Sequence, residues 1–373
     1  MRKMLKPGGY FFPGSIVRYD KPALSIAKQV ERLKERGLLF PDADEKKVRH
    51  YLTHIGYYRL SAYWLPFEEP LPPQTDQQTG KRRAHRFRPG TTFDQVLSLY
   101  IFDRQLRLLV MEAFERIEIA VRTAWAHTLA TKHKNPHAHL DATLFKCPWK
   151  HASDIASMAK QLQGSKETFV VHYRERYKNP FLPPIWAVVE TMSLGSLSSW
   201  VAATKDNSVK REIAQKLELP TVEVLESVLH ALTPVRNICA HHGRLWNRRL
   251  TLQLPRIKRL RKQMVFDQIA APKPGNTTDP HSQSDQSVPA SGTKTQQQPA
   301  REIYNYLFVI AHLIRSISPG SSWPRRLSEH IQDHIQQHPD HQKAMGFPDD
   351  WEHRPIWQDQ ATPGPDRGQE PLA

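Results

Sequence analysis

One segment of the chain combines residue types that are suited to cleaving RNA. It runs from Thr233 to Arg248 and contains Arg236, His241 and His242. A histidine titrates near neutral pH and can remove the proton from a ribose 2′-hydroxyl. A guanidinium can stabilise the charge that develops when this hydroxyl attacks the adjacent phosphodiester. The segment therefore predicts RNA cleavage without a metal or other cofactor, with a second histidine protonating the leaving 5′ oxygen.

The same segment predicts how these side chains are positioned. Thr233 is a suitable N-cap and Pro234 a suitable first residue of a helix over 234–246. Arg236 would then lie in the first turn, where free backbone amides and the helix dipole favour phosphate. Arg236 and His241 are about 140° apart around an ideal helix. Arg236 must therefore curl toward the histidine, or two copies of the motif must converge in a homodimer.

Two other interpretations of the segment remain open. Asn237 shares a helix face with His241, four residues later, and both could be structural hydrogen-bonding groups at a helix end. A zinc site through Cys239, His241 and His242 is a further alternative, but the three lie within four residues and no second half-site is evident. No metal ligand set is predicted.

A basic flank follows directly and favours a nucleic-acid partner. Residues 244–262 contain no Asp or Glu, and Trp246 offers a ring on which a base could stack. The alternative is a solvated basic helix end. The candidate RNA-binding residues are Arg244, Trp246, Arg248, Arg249, Lys258 and Arg259.

Three charged residues elsewhere could support the site. Arg116 and Glu118 lie between apolar residues of a long helical segment, and Glu190 lies in the apolar stretch 183–200. They could form a buried ion network that orients the histidine or Arg236. They could equally be an ordinary exposed ion arrangement and a local polar group.

The periodicity of apolar residues predicts an all-α protein, because no alternating segments flank a hairpin turn and no βαβ pattern is present. The longest helix is predicted over 93–132, free of Pro and Gly, with Thr91 or Thr92 as its cap. Other helices are predicted over 23–38, from Asp44 through Ile55, and over 152–162, 168–177, 185–201, 208–217, 222–232, 234–246 and 302–316.

Composition divides the chain into a core and loop-like segments. We predict a flexible N-terminus (1–22), an N-terminal helical subdomain (23–68), a helical core (92–262), a disordered linker (271–300), a C-terminal helix packing on the core (301–318) and a flexible tail (337–373). The linker and tail are rich in Pro, Gln and other polar residues and are poor in large apolar ones.

Charge and cysteine content limit the function classes. The chain has 373 residues with 53 Lys+Arg and 37 Asp+Glu, a formal charge of +16. Such an excess favours nucleic acid first and an anionic membrane surface second. Two cysteines exclude a disulfide framework, and no apolar run is long enough to cross a membrane. We expect a soluble cytoplasmic protein.

With these residues considered together, the chain resembles the bacterial Abi family of AbiD/AbiF-like abortive-infection proteins. The resemblance covers about residues 20–260, and the order and spacing of five segments make it specific. These segments are GYYRLSAYW (56–64), FDRQLRLLVMEAFERIEIAVRT (102–123), HYRERY (172–177), PPIWAVVETMSLGSLS (183–198) and RNICAHHGRLWNR (236–248). The family is similar to HEPN-domain proteins, whose signature is Arg, a polar residue, three variable positions and His.

The resemblance implies a HEPN-like helical bundle and a toxic, metal-independent RNA endonuclease acting in antiviral defence. Arg236 and His241 would be the catalytic pair, with Asn237 orienting them and His242 in a lesser role. Paired motifs form the composite site in such proteins, so this chain would act as a homodimer. Some members associate with a small non-coding RNA. A non-catalytic RNA-binding module that holds such an RNA therefore stays the main alternative, followed by a membrane-surface or protein-interaction factor.

Overall fold

The computed structural model describes residues 22–70, 83–269 and 296–358, and nearly all regular structure in them is helical. The all-α prediction is confirmed. Contacts divide the chain into two units, the first ending at Tyr100 and the second beginning at Ile101, so the division falls within a long helix.

The first unit contains three short helices, α1 (Ile26–Glu35), α2 (Glu45–His54) and α3 (Tyr57–Ser61). The hydroxyl of Ser25 caps α1 by accepting from the amide of Lys28. The helix ends before the predicted Leu38 because Gly37 takes a positive φ of 89°.

Helix α4 (Phe93–Lys132) has the predicted bounds. A capping box begins it: the amide of Gln95 donates to the Thr92 hydroxyl at 3.3 Å, and the amide of Thr92 donates to the Gln95 side chain at 2.9 Å. Within the second unit, one apolar stripe of α4 is completely buried and forms the centre of the core. Its members are Leu106, Val110, Phe114, Ile117, Val121 and Trp125.

The rest of the second unit packs around this stripe. Its helices are α5 (Pro148–Gly164), α6 (Thr168–Arg176), α7 (Ile185–Val188), α8 (Leu194–Ala203), α9 (Asn207–Lys216), α10 (Val222–Ala240), α11 (Ile303–Ile317), α12 (Trp323–Gln337) and α13 (Pro339–Met345). Two strands, β1 (Phe266–Ile269) and β2 (Gln296–Pro299), pair antiparallel to each other, and Phe266 lies opposite Pro299.

The helix predicted over 185–201 is two helices instead. A 3₁₀ turn over Val189–Thr191 follows α7, and α8 begins after Ser193, whose hydroxyl accepts from the amide of Ser196. A Cβ at Gly195 would lie 3.2 Å from the side chain of Thr233, so the small residue lets α8 approach α10 closely. The apolar run alone did not reveal this second cap.

The predicted flexible segments differ in outcome. Residues 1–21, most of the 271–300 linker and residues 359–373 lie outside the described residues. The first part of the 337–373 tail is folded, with α13 and a 3₁₀ turn at Trp351–His353. Met345, Phe347, Trp351 and Trp357 are buried there, because these apolar residues are sufficient to dock a Pro-rich and Gln-rich segment on the core.

Candidate functional site

The motif lies at the C-terminal end of a helix, which corrects the prediction of a helix beginning at Pro234. Helix α10 runs unbroken through Pro234, and the Thr233 hydroxyl bonds back to the carbonyl of Leu229 at 2.9 Å. Thr233 is therefore an interior residue and not an N-cap. No free backbone amides lie at Arg236, and the dipole at this end favours cationic side chains over phosphate. Any phosphate bound here must be held by side chains.

Two backbone hydrogen bonds end α10 beneath the histidines. The amide of His242 donates to Cys239 at 3.0 Å, and that of Gly243 donates to Ile238 at 2.7 Å. This is the Schellman arrangement, in which the residue after the C-cap takes a left-handed conformation and is usually glycine. His242 occupies that position with a φ of 56°, and His241 is the C-cap. Both histidine side chains are exposed, on a rigid turn.

Arg236 is held by a buried carboxylate on α4. Its Nε donates to Glu118 Oε1 at 2.7 Å, and the Glu118 side chain is 9% exposed. The two terminal nitrogens of Arg236 make no hydrogen bond within the described residues, and a quarter of the side chain is exposed. The guanidinium is thus fixed along one edge and presents its outer edge to solvent, as a clamp for a phosphate would.

A second arginine extends this arrangement. Arg122 lies one turn beyond Glu118 and contacts its other carboxylate oxygen at 3.3 Å. Arg122 also donates to the carbonyl of Met192 at 2.5 Å and lies 3.8 Å from Glu190. The structure therefore brings the predicted supporting residues Glu118 and Glu190 together with Arg236. Arg122 itself was not singled out from the sequence.

Arg116 does not belong to this cluster. It donates to the Ser321 hydroxyl at 2.7 Å and to Glu112 at 2.8 Å. Residues i and i+2 of a helix are about 200° apart around its axis, so Arg116 and Glu118 point to different sides of α4. The prediction that both support the site is wrong for Arg116, which instead connects α4 to the turn before α12.

A carboxylate that the sequence pattern did not single out fixes the chain after the motif. Asp103 of α4 is completely buried and accepts the amides of Leu245 at 3.1 Å and Trp246 at 2.7 Å. It is also ion-paired with Arg107 one turn away. The signal was present: Asp103 stands in the apolar stripe of α4, three residues before Leu106, where only a bonded carboxylate can be buried.

Helix α4 therefore holds the motif at two points. Glu118 and Asp103 are fifteen residues apart, about 22 Å along a helix. The segment from Arg236 to Trp246 spans this distance in the direction opposite to α4. The candidate site is the exposed end of α10 between these two carboxylates.

Comparison with protein-family models identifies one match. The model of the Abi-like protein family matches residues 50–247, slightly more than half of the chain. The chain belongs to the Abi-like protein family. This membership implies a role in abortive-infection defence against phage. The search of curated proteins gave no match, and neither did the search of solved structures.

The family match ends at Asn247, so most of the basic flank of this Abi-like protein lies beyond it. Arg248 and Lys258 are exposed and have no ion pair within the described residues. Arg249 is paired with Asp267 at 3.2 Å, and Arg259 approaches the ring of His312 at 3.3 Å. Some of the predicted RNA-binding cations are therefore already engaged by the protein itself. Arg244 is half-buried.

Trp246 is not a stacking platform. Its indole is completely buried and lies against the ring of His341, with 4.6 Å between the ring centroids. The backbone amide of Trp246 donates to Asp103, and this hydrogen bond places the indole ring in the core. The prediction that Trp246 stacks on a base is wrong, because a tryptophan in a basic flank can serve the core as well as a ligand.

The position of Cys239 does not suit a zinc site, because this thiol is buried while His241 and His242 are exposed. Burial raises the pKa of this thiol to about 12, so it stays protonated. Within the ranges described, no group of three His, Cys, Asp or Glu side chains is arranged to hold a metal ion. Across those same ranges, the helices are all too short or too polar to span a bilayer.

Proposed function

We propose that this Abi-like protein is a metal-independent RNA endonuclease of the HEPN type that acts in abortive infection. The observation that carries the proposal is the fixed guanidinium of Arg236, whose outer edge is exposed at the same helix end as His241 and His242. A cation and two histidines on a rigid turn are what cleavage through a ribose 2′-hydroxyl requires.

In the proposed reaction, the outer edge of Arg236 binds the scissile phosphate. His241 removes the proton from the 2′-hydroxyl, whose oxygen then attacks phosphorus. Arg236 stabilises the charge on the pentavalent phosphate, and a second histidine protonates the departing 5′ oxygen. The products are a 2′,3′-cyclic phosphate and a 5′-hydroxyl. Glu118 and Arg122 keep the guanidinium in place throughout.

A second copy of the chain would complete the site. His241 is exposed, and its ring makes no hydrogen bond within the described residues. A catalytic histidine normally has a partner that orients the ring, and a second motif brought to the same place supplies one. We therefore propose a homodimer with two Arg236–His241 pairs facing each other.

The unoriented ring also favours a second candidate, a non-catalytic module that binds a small RNA. In that case Arg236 would hold a phosphate and His241 would only contact the RNA. The two candidates differ in whether bound RNA is ever cut.

The test is incubation of purified protein with total cellular RNA in excess EDTA, followed by end-group analysis of the products. Wild type is compared with His241→Ala, with Arg236→Ala and with His230→Ala, an exposed histidine on the same helix. Cyclic-phosphate ends that disappear in the first two variants and persist in the third support the nuclease. RNA binding without cleavage by wild type would favour the RNA-holding module.

A further inference from the structure

Helix α6, the loop after it and α7 expose several aromatic rings. Phe181 is 62% exposed, Trp186 55%, Tyr177 48% and Phe169 36%. Folded domains bury most such side chains, so exposed rings close together in the sequence are candidates for contacts with a ligand. Neither the family match nor the candidate active site accounts for them.

The exposure of Phe181 is built into the fold. The hydroxyl of Tyr173 donates to the carbonyl of Pro180 at 2.9 Å, and Leu182 on the other side is buried. Because Pro180 and Leu182 are both fixed, the ring of Phe181 between them points to solvent. It forms one wall of a groove of about 420 Å³ between α5 and α6, with Leu162 and Val170 on its floor.

Two cations line this groove. They are Lys160 and Arg174, and both are exposed. Arg174 is fixed because it donates to the carbonyls of Gln163 at 2.6 Å and Ser165 at 3.3 Å. No acidic side chain lines the groove. An aromatic wall with cations at its rim suits a base that stacks on the ring while its phosphate meets the charges.

A second groove lies next to the residues that hold Arg236. It has a volume of about 580 Å³ and is lined by Phe169, Gln161 and the carboxylates Glu167 and Glu190, among others. Glu190 contacts Arg122, which shares Glu118 with Arg236. The two grooves lie on either side of the first turn of α6, since Phe169 lines one and Val170 the other.

We infer that the α5–α6 face, with Phe181, Lys160 and Arg174 as its main contacts, binds single-stranded RNA. The inference rests on the proposed function, since it supplies a binding surface for that site's substrate. Unpaired bases stack on the exposed rings, while a duplex hides its bases and cannot do so. A protein partner at the same face would use the rings only as apolar contacts.

The binding test uses an RNA of about 16 nucleotides with 2′-O-methyl riboses, which cannot be cut through a 2′-hydroxyl, and the duplex of the same sequence. Fluorescence anisotropy should show tighter binding of the single strand by wild type. Phe181→Ala should weaken single-strand binding about 5- to 100-fold, as loss of one stacked base does. Tyr58→Ala, which removes a ring 91% exposed in the first unit, is the matched control and should change nothing.

Conservative variants separate stacking from apolar contact. Phe181→Tyr should keep the wild-type affinity, whereas Phe181→Leu should lose it. The combined substitution Lys160→Gln and Arg174→Gln should lower the slope of log Kd against log salt by about 1.4, about 0.7 for each lost phosphate contact with a single strand. Equal binding of single strand and duplex, an unchanged Phe181→Ala, or full binding by Phe181→Leu would overturn the inference. The last result would favour a protein partner.

Cleavage assays keep this inference distinguishable from the proposed nuclease. If wild type cuts RNA, Phe181→Ala should cut a long single strand with a raised KM, because the substitution weakens substrate binding. If wild type cuts nothing, the nuclease proposal fails, and the anisotropy comparison alone still decides whether this face binds RNA.

Discussion

The two ends of the motif segment are held by α4 in different ways. At the anchored end, Leu245 and Trp246, backbone amides bind a fully buried carboxylate, Asp103, and the indole ring lies in the core. At the open end, Arg236, His241 and His242, the carboxylate of Glu118 binds a side chain and leaves its outer edge exposed. Fixing the backbone at one end allows polar side chains to stay available at the other.

Removing Asp103 should break the anchored end and have the largest effect. Asp103→Ala removes the ion pair with the Arg107 guanidinium, which is 6% exposed, and removes the acceptor of two backbone amides. We expect a loss of about 3–5 kcal/mol in the free energy of unfolding, measured by urea denaturation. Asp154→Ala, which removes an ion pair with the half-exposed Lys150, is the control and should lose under about 1 kcal/mol. A comparable loss in both variants would show that Asp103 has no special anchoring role.

The second largest effect is expected from acid, which should lower the free energy of unfolding through the anchored end. Trp246 packs on His341, whose Nδ1 lies 2.9 Å from Nε2 of His334, and the ring of His334 stacks on Phe102. Burial lowers the pKa of His334 to about 3 and that of His341 to about 4. As the pH falls, these histidines become protonated in the unfolded chain before they do so in the folded protein. Their contribution to the free energy of unfolding is therefore complete above pH 6.5 and is lost as the pH falls toward 4. We expect a decrease of about 2–3 kcal/mol from these two histidines between pH 7 and pH 5.5.

Denaturation curves at each pH measure this decrease. The other charged or titratable groups around the pair are His330, His338 and Asp340, and burial lowers the pKa of the first two as well. The double variant His334→Gln, His341→Gln should remove about 2–3 kcal/mol of the measured decrease, and the part that remains belongs to half-buried histidines such as His330 and His338. An unchanged slope in that variant would assign the acid sensitivity to other groups.

Loosening Arg236 should lower activity, with a smaller effect on stability than Asp103→Ala, because glutamine keeps a hydrogen-bond acceptor and both arginines reach solvent. Glu118→Gln keeps a hydrogen-bond acceptor but removes the charge that holds both arginines. We expect the rate of RNA cleavage to fall about tenfold, mainly in kcat, which is about 1.4 kcal/mol of transition-state stabilisation. Glu115→Gln, on the exposed side of the same helix, is the control and should cleave normally. Equal rates in all three proteins would mean that Glu118 does not position the catalytic arginine.

The sequence predicts α4 to the residue but misplaces the motif helix, and the difference has a physical cause. In α4 the cap at Thr92, the apolar stripe and the absence of Pro and Gly all agree. At Thr233–Pro234 the local signal of a helix start is real, yet the Thr233 side chain packs against Gly195 and Pro234 is accommodated inside α10. Residue types and spacing single out Arg236 and His241, and their assignment as a catalytic pair stays a prediction. Contacts such as Arg236 with Glu118 depend on packing that only the structure shows.

The smallest expected effect separates strain from function at the open end. His242 and Glu218 both follow a helix C-cap in the left-handed conformation, with φ of 56° and 50°, and the same pair of Schellman hydrogen bonds ends both helices. Glycine relieves this conformation, so His242→Gly and Glu218→Gly should each raise the free energy of unfolding by about 0.5–1 kcal/mol. Only His242→Gly should lower RNA cleavage, because only it removes a histidine from the proposed active site. Normal cleavage by the stabilised His242→Gly protein would leave His241 of the two copies as the only histidines in the reaction.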